Sequence, residues 1–175
     1  TNRHMRHFAL IGRKLHHSFS AKFFNSKFKA EEIDADYQLI ELETLSDIRS
    51  LVMSTPIDGF NVTIPYKESI IPYLDELDDV SRMVGAVNCV EIKEGKLIGH
   101  NTDVVGIEAS LHWLDIESNT KALILGTGGA SKAVQYALKK SGIDYLTVSR
   151  MEGRGDITYS QITHEILSSC KLIIN

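Results

Sequence analysis

Asn61-Val62-Thr63-Ile64-Pro65-Tyr66-Lys67 closes a short apolar strand, Gly59 to Ile64, with a proline and then a lysine. Proline is well tolerated at the first position of a helix, where its missing N–H has no partner to lose. The pattern therefore predicts a helix from Pro65, with Lys67 in its first turn at the carboxyl end of a strand. The positive end of the helix macrodipole would disfavour an ammonium there and push the lysine pKa down. A lysine so placed suits proton transfer. A solvated surface position is the commoner fate of a single lysine. Asn61 and Thr63 weigh against it, because open α/β sheets bind ligands at the carboxyl ends of their strands.

Outward from this stretch the chain alternates. Upstream, His7 to Ile11 reads as a strand and Gly12 to His17 as a polar loop. Ser18 is the expected N-cap of a helix whose stripe Phe19, Phe23, Phe24 and Phe28 is read as core. Tyr37 to Leu42 reads as a strand and Leu45 to Met53 as a helix. Downstream, helical segments are expected between Tyr66 and Met83. A hairpin follows, Ala86 to Ile92 and Lys96 to Gly99, turning at Lys93-Glu94-Gly95. This β-α-β-α-β order with an added hairpin is an α/β domain. Asn101-Thr102-Asp103 then opens a helix with Val104, Val105, Ile107, Leu111 and Leu114 at helical spacing, read as the hinge to a second domain. The dipole favours an ionised Asp103 in that first turn, whether as a plain first-turn acid or as a catalytic one.

Past the hinge the pattern restarts. Lys121 to Leu125 is a buried strand, Gly126-Thr127-Gly128-Gly129-Ala130-Ser131 a glycine-rich turn, Lys132 to Ser141 a helix and Asp144 to Ser149 the next strand. Gly-x-Gly between a strand and a helix is the dinucleotide-binding turn, though glycine-rich turns also occur for structural reasons alone. Gly126 permits the tight turn, Gly128 lets the backbone approach a pyrophosphate, and the helix N-terminus receives the anion. Ser131 stands at the third glycine position. An NAD site usually carries an acid at the end of the following strand, about 20 residues on, to grip the ribose hydroxyls. Here Ser149-Arg150 stands there, with Arg154 beyond, and guanidinium groups suit the 2′-phosphate of NADP.

The chain has 175 residues, 43% of them apolar, and a net charge of -4 with both signs dispersed, which suits one medium or two small domains. Nothing in this balance points to nucleic acid or to a membrane surface. Neither a membrane span nor a secretory leader is evident before the first strand. Cys89 and Cys170 lie far apart without metal-ligand spacing, so a reduced cytoplasm is expected and no metal. Thr1-Asn2-Arg3-His4 reads as leader residues foreign to the protein, with Met5 as its start.

Taken together, Ser18-Phe19-Ser20, Asn61 to Lys67, Gly85-Ala86-Val87-Asn88, Gly99-His100-Asn101-Thr102-Asp103 and Gly126 to Ala130 strongly resemble the shikimate dehydrogenase family. The resemblance runs from Phe8 to the chain end. It implies NADP-dependent, reversible reduction of 3-dehydroshikimate to shikimate. It gives Ser18 and Ser20 the substrate carboxylate, Thr63, Asn88 and Asp103 the ring hydroxyls, and Lys67 with Asp103 the catalysis. Quinate/shikimate dehydrogenase relatives that take quinate or NAD, and a non-catalytic small-molecule-binding paralogue or fragment, are the alternatives. The family usually has glycine at His16, where the larger ring is expected to crowd the substrate loop. It also has Asn and Thr at Ser149 and Met151. It continues beyond Leu172-Ile173-Ile174-Asn175, so an incomplete nucleotide domain is expected. The expected architecture is thus two α/β domains, residues 5–101 for a small-molecule substrate and 102–175 for a Rossmann-like NADP-binding domain, as a monomer or homodimer.

Overall fold

A computed structural model describes residues 5–117 and 119–175; Thr1 to His4, read above as foreign leader residues, lie outside them. The described chain falls into two compact units. The first runs through Arg82 and resumes over Val87–Asn101; the second joins Met83–Ala86 to Thr102–Asn175.

In the first unit, β1 (Arg6–Gly12), α1 (Ser20–Ala30), β2 (Ala35–Glu41), α2 (Ile48–Ser54) and β3 (Gly59–Val62) form two crossover units. A short β4 (Glu76–Leu77) follows, and β5 (Cys89–Lys93) and β6 (Lys96–His100) make the hairpin. Among the described residues the sheet order is β2-β1-β3-β5-β6-β4. The first three strands are parallel, whereas the β3–β5 and β5–β6 pairs are antiparallel. Alternation along β1 splits the core. Ala9 and Ile11 join Ile48, Val52, Phe60 and Val62 on one face, and Leu10 joins Leu15, Tyr37, Phe24 and Phe28 on the other. The aromatic stripe of α1 is therefore only half core, since Phe19 is 68% exposed and Phe23 46%.

The chain departs from the expected helix at Pro65. No α-helix begins there; residues 64–70 form turns, and a single 3₁₀ turn covers Ile71–Tyr73. The Ile64–Pro65 peptide is cis. Two X–Pro steps, at Pro65 and Pro72, disfavour helical backbone at Ile64 and Ile71. Tertiary bonds claim the rest: the Tyr66 hydroxyl donates to the Leu42 carbonyl, and the Lys67 carbonyl accepts from Val87 N–H at 2.7 Å. The aligned dipoles invoked for Lys67 are thus missing. Helix returns only at α3 (Asp79–Val84).

In the second unit, α4 (Asp103–Trp113), β7 (Lys121–Leu125), α5 (Gly129–Lys140), β8 (Asp144–Ser149), β9 (Ile157–Thr158), α6 (His164–Ser169) and β10 (Leu172–Ile174) build a sheet ordered β10-β7-β8-β9. All its pairs are parallel. A parallel strand covered on both faces reads as a continuous apolar run, as Lys121-Ala122-Leu123-Ile124-Leu125 does. Ala122 and Ile124 pack with Leu111, Val134, Ala137 and Leu138 of α4 and α5, while Leu123 and Val148 pack toward Ile166 and Cys170. The helix expected as a hinge, α4, belongs to this second unit. Among the described residues no helix is long and apolar enough to cross a membrane.

Candidate substrate and cofactor sites

The loop after β1 is held from both ends. Gly12 sits so close to the following segment that a Cβ would lie 2.7 Å from Thr63 Cγ2 and from Leu15 Cδ2, so glycine is required by proximity. Leu15 is buried, and its N–H donates to the Glu41 carboxylate at 2.6 Å. Ser18 N–H closes a turn onto the Leu15 carbonyl at 2.7 Å. Ser18 does not cap α1. That helix starts at Ser20 with Phe19 as a helical N-cap residue, and the Ser18 hydroxyl accepts from Ser20 N–H at 3.2 Å. Both serines are consequently drawn to one side of the loop.

On the neighbouring strand, Thr63 N–H donates to the Ile11 carbonyl and Tyr66 N–H to the Thr63 carbonyl, both at 2.9 Å. With the Val87 bond to the Lys67 carbonyl, these fix the backbone on which Lys67 stands. Asn88 lies just before β5, with its N–H donating to the His100 carbonyl at 3.1 Å.

Five of the expected substrate residues, Ser18, Ser20, Thr63, Lys67 and Asn88, line one cavity of about 480 Å³ within the first unit. Asn61, whose strand-end position already pointed to a ligand, lines it too, as do Lys14 and His17, to which the motifs assign no role. Lys14 and His17 fall in the polar loop Gly12 to His17, where two bases beside a serine pair are a legible sign of an anion site. The described residues lining the cavity include Lys14, His17 and Lys67 but no carboxylate, in a chain whose net charge is negative. His16 lies against His17, ring centroids 4.0 Å apart, and His17 lines the cavity. Asp103 opens α4 in the second unit as that helix's first-turn acid.

The second unit presents a different geometry. Gly126, Thr127 and Gly128 connect β7 to α5, whose N-cap is Gly128, with Gly129 and Ala130 in the first turn. Gly126 has φ of 120°, a conformation open in practice only to glycine. A Cβ on Gly126 or on Gly128 would meet nothing within 4 Å. The turn is thus an open cradle of backbone at the positive end of a helix, which fits a pyrophosphate. Ser131 is buried and accepts from Gln135 Nε2 at 3.1 Å, so the third glycine position is filled by packing. Gly126 N–H donates to the Val148 carbonyl at 2.9 Å, so the cradle and the end of β8 are adjacent.

Arg150 leaves the end of β8 and Arg154 follows in the same turn; both are exposed. Ser149 is buried beneath them, and its hydroxyl accepts from Met151 N–H at 3.1 Å. Asp156 ties the turn down, accepting from Thr147 N–H and Thr147 Oγ1 at 2.7 Å each. The Thr147 backbone bond, then its hydroxyl, hold the Asp156 carboxyl below its ordinary value despite some burial. A depressed acid stabilises the fold above its unfolded pKa and loses that contribution as pH falls through the folded one. Thr147 amide protection should therefore persist to about pH 4 and collapse in more acidic solution. Hydrogen exchange with intrinsic rates divided out would check this; protection unchanged to pH 2 would mean that Asp156 does not hold the turn.

These features define an α/β protein with a basic small-molecule cavity in one unit and a dinucleotide-type turn in the other. A family model described as the shikimate dehydrogenase substrate binding domain matches residues 10–90. Shikimate dehydrogenase (NADP(+)) of Staphylococcus aureus is 44% identical over 146 residues, which are 81% of this chain and 54% of that protein. The crystal structure of shikimate dehydrogenase 1 from Peptoclostridium difficile is 34% identical, covering 91% of this chain and 63% of that one, with a TM-score of 0.84. That of the Thermotoga maritima enzyme is 31% identical over 95% and 67%, with a TM-score of 0.79. The chain belongs to the shikimate dehydrogenase family. It spans about half the length of the curated relatives it matches.

Proposed function

We propose that the protein is an NADP-dependent oxidoreductase that interconverts 3-dehydroshikimate and shikimate. The observation that carries this is the cavity in which Ser18, Ser20, Thr63, Lys67 and Asn88 meet, with basic and neutral walls. The name of the Staphylococcus aureus relative supports both the substrate and the cofactor.

In this reading the Ser18 and Ser20 hydroxyls donate to the substrate carboxylate, with Lys14 as the neighbouring positive group and the His17 ring beside it. Thr63 and Asn88 take the ring hydroxyls, Asn88 offering both donor and acceptor. Lys67 gives its proton to the oxygen that becomes a hydroxyl during reduction, and takes it back in the reverse direction. Its charge stabilises the alkoxide as it develops. The family resemblance gives Asp103, the first-turn acid of α4, a share in the catalysis. Gly126 to Ala130 hold the pyrophosphate, and Ser149, Arg150 and Arg154 form the 2′-phosphate end, with Ser149 supporting the turn. When bound, the nicotinamide supplies or accepts the hydride.

Steady-state rates with shikimate and with quinate, each with NADP and NAD, test the proposal. Shikimate with NADP should be fastest. Turnover preferring quinate or NAD would replace this reading, and binding without turnover would make the protein a small-molecule binder.

The electrostatic part has its own test. A partly exposed ion pair contributes ~0.2–1 kcal/mol, so Lys14→Ala should raise the shikimate Kd by up to about fivefold at low salt. The difference should shrink as ionic strength rises toward ~1 M. Equal affinities at low salt would leave the carboxylate to the serines alone.

A further inference from the structure

A partly buried chain of hydrogen bonds runs from the edge of the first sheet to the cavity wall. The Tyr37 hydroxyl bonds to Asn61 Oδ1 at 2.8 Å, and Asn61 Nδ2 donates to the Asn88 carbonyl at 3.2 Å. The order of donors follows from the far end. A backbone carbonyl can only accept, so the Asn61 amide must turn its nitrogen to Asn88 and its oxygen to Tyr37. The phenol then has to be the donor. Burial first, and the neighbouring Cys89 second, raise the Tyr37 phenol well above its ordinary pKa, which keeps that proton in place.

Each end of the chain is anchored. Tyr37 is 5% exposed and stacks on Phe24 with ring centroids 4.7 Å apart. The Asn25 side chain brackets its backbone, donating to the Tyr37 carbonyl at 2.8 Å and accepting from its N–H at 2.9 Å. At the other end the Asn88 carbonyl also accepts from Val62 N–H at 2.9 Å. Asn88 is therefore gripped at its carbonyl from two sides and at its N–H by His100.

We propose that Tyr37 is a positioning residue that acts through Asn61 to fix Asn88 at the cavity wall, and so sets affinity for a polyhydroxylated ring substrate. The role as a substrate determinant rests on the reading of the cavity given above. The hydrogen-bond relay itself does not. Tyr37 is not among the residues lining the cavity; its hydroxyl decides which way the Asn61 amide faces. Without that donor the amide can rotate, and the second bond on the Asn88 carbonyl is lost.

The test is Tyr37→Phe, which removes one oxygen and keeps the ring stacked on Phe24. In ligand-free protein, NMR of the Asn61 side-chain amide should show faster exchange and rotation in the variant. An unchanged Asn61 amide would overturn the relay whatever ligand the cavity takes. Shikimate affinity, read by NMR titration into the millimolar range, should fall about threefold to tenfold in Tyr37→Phe, the usual worth of one hydrogen bond. In an Asn88→Ala background the same change should cost nothing further in affinity, while the unfolding temperature drops alike in both backgrounds. An equal affinity loss in both backgrounds would show that Tyr37 does not act through Asn88 and overturn the proposal. A parent protein that binds no shikimate, with the Asn61 amide still responding to Tyr37→Phe, would remove the substrate assignment and keep the relay.

Discussion

Lys67→Ala should lower kcat for shikimate oxidation by about 10²- to 10⁴-fold, the usual contribution of a positioned acid–base group, while KM changes by no more than a few-fold. The structure supplies the reason for expecting so asymmetric an effect. Lys67 is half-buried in the cavity wall, and its backbone is set by the Val87 bond at its carbonyl and by Tyr66 on its other side. Its stem is therefore directed by the fold and not by the ligand. The serine pair, Lys14, His17, Thr63 and Asn88 remain on the cavity wall in the variant, and in the proposed reading they keep the substrate bound. What disappears is the group that neutralises charge on the reacting oxygen, and that charge exists fully only in the transition state. An interaction made only there appears in kcat and not in KM. Steady-state kinetics of parent and variant decide the matter. A kcat within a few-fold of the parent with a raised KM would make Lys67 a binding residue and leave the proton transfer without its donor.

The expectation about Lys67 was reached from a wrong local structure. The sequence pattern predicts a helix N-terminus there, whereas the chain has turns because Tyr66 and Lys67 are bound to Leu42 and Val87. Those partners lie twenty or more positions away, beyond the reach of any local rule. Periodicity serves better where burial alone decides: the run Lys121–Leu125 and the short strand at His7–Ile11 are legible because their neighbours cover them, and the strand expected over Gly59–Ile64 ends at Val62. Caps and helix starts were less so. Ser18 has the chemistry of a cap, but its hydroxyl serves the Ser20 amide inside the loop turn. The relay from Tyr37 was invisible in the sequence, since it joins β2 to β3 through a side chain whose partner is named only by strand order. The two units themselves exchange Met83–Ala86 across the order of the chain, which no reading along the sequence would reveal.

Cofactor choice carries the other large expected effect. NADP differs from NAD at the adenosine end by one phosphate, so discrimination rests on groups that meet that dianion. A hydrogen bond to a charged group contributes ~1.5–3 kcal/mol, and each ~1.4 kcal/mol is about tenfold in affinity. One well-placed arginine thus separates the two cofactors by about one to two orders of magnitude. Arg150 is the better placed of the two, because it leaves β8 directly beside the glycine turn, where Gly126 N–H meets the Val148 carbonyl. Its guanidinium can also lie against the adenine face. Arg154 stands farther along a turn, and a long side chain on a loop loses more freedom when it binds. The turn is not loose, however: Asp156 fastens its far end to Thr147, and Arg154 N–H reaches the Met151 carbonyl at 3.3 Å. Arg154 should accordingly add a smaller share, not a negligible one. Arg150→Ala is expected to weaken NADP by about 10- to 100-fold and NAD only slightly, and salt should erode the preference of the parent. Dissociation constants for both cofactors measure this directly. Equal affinities in the parent, or equal losses in the variant, would remove the arginines from the 2′-phosphate and leave the glycine turn as the only recognised part of the cofactor site.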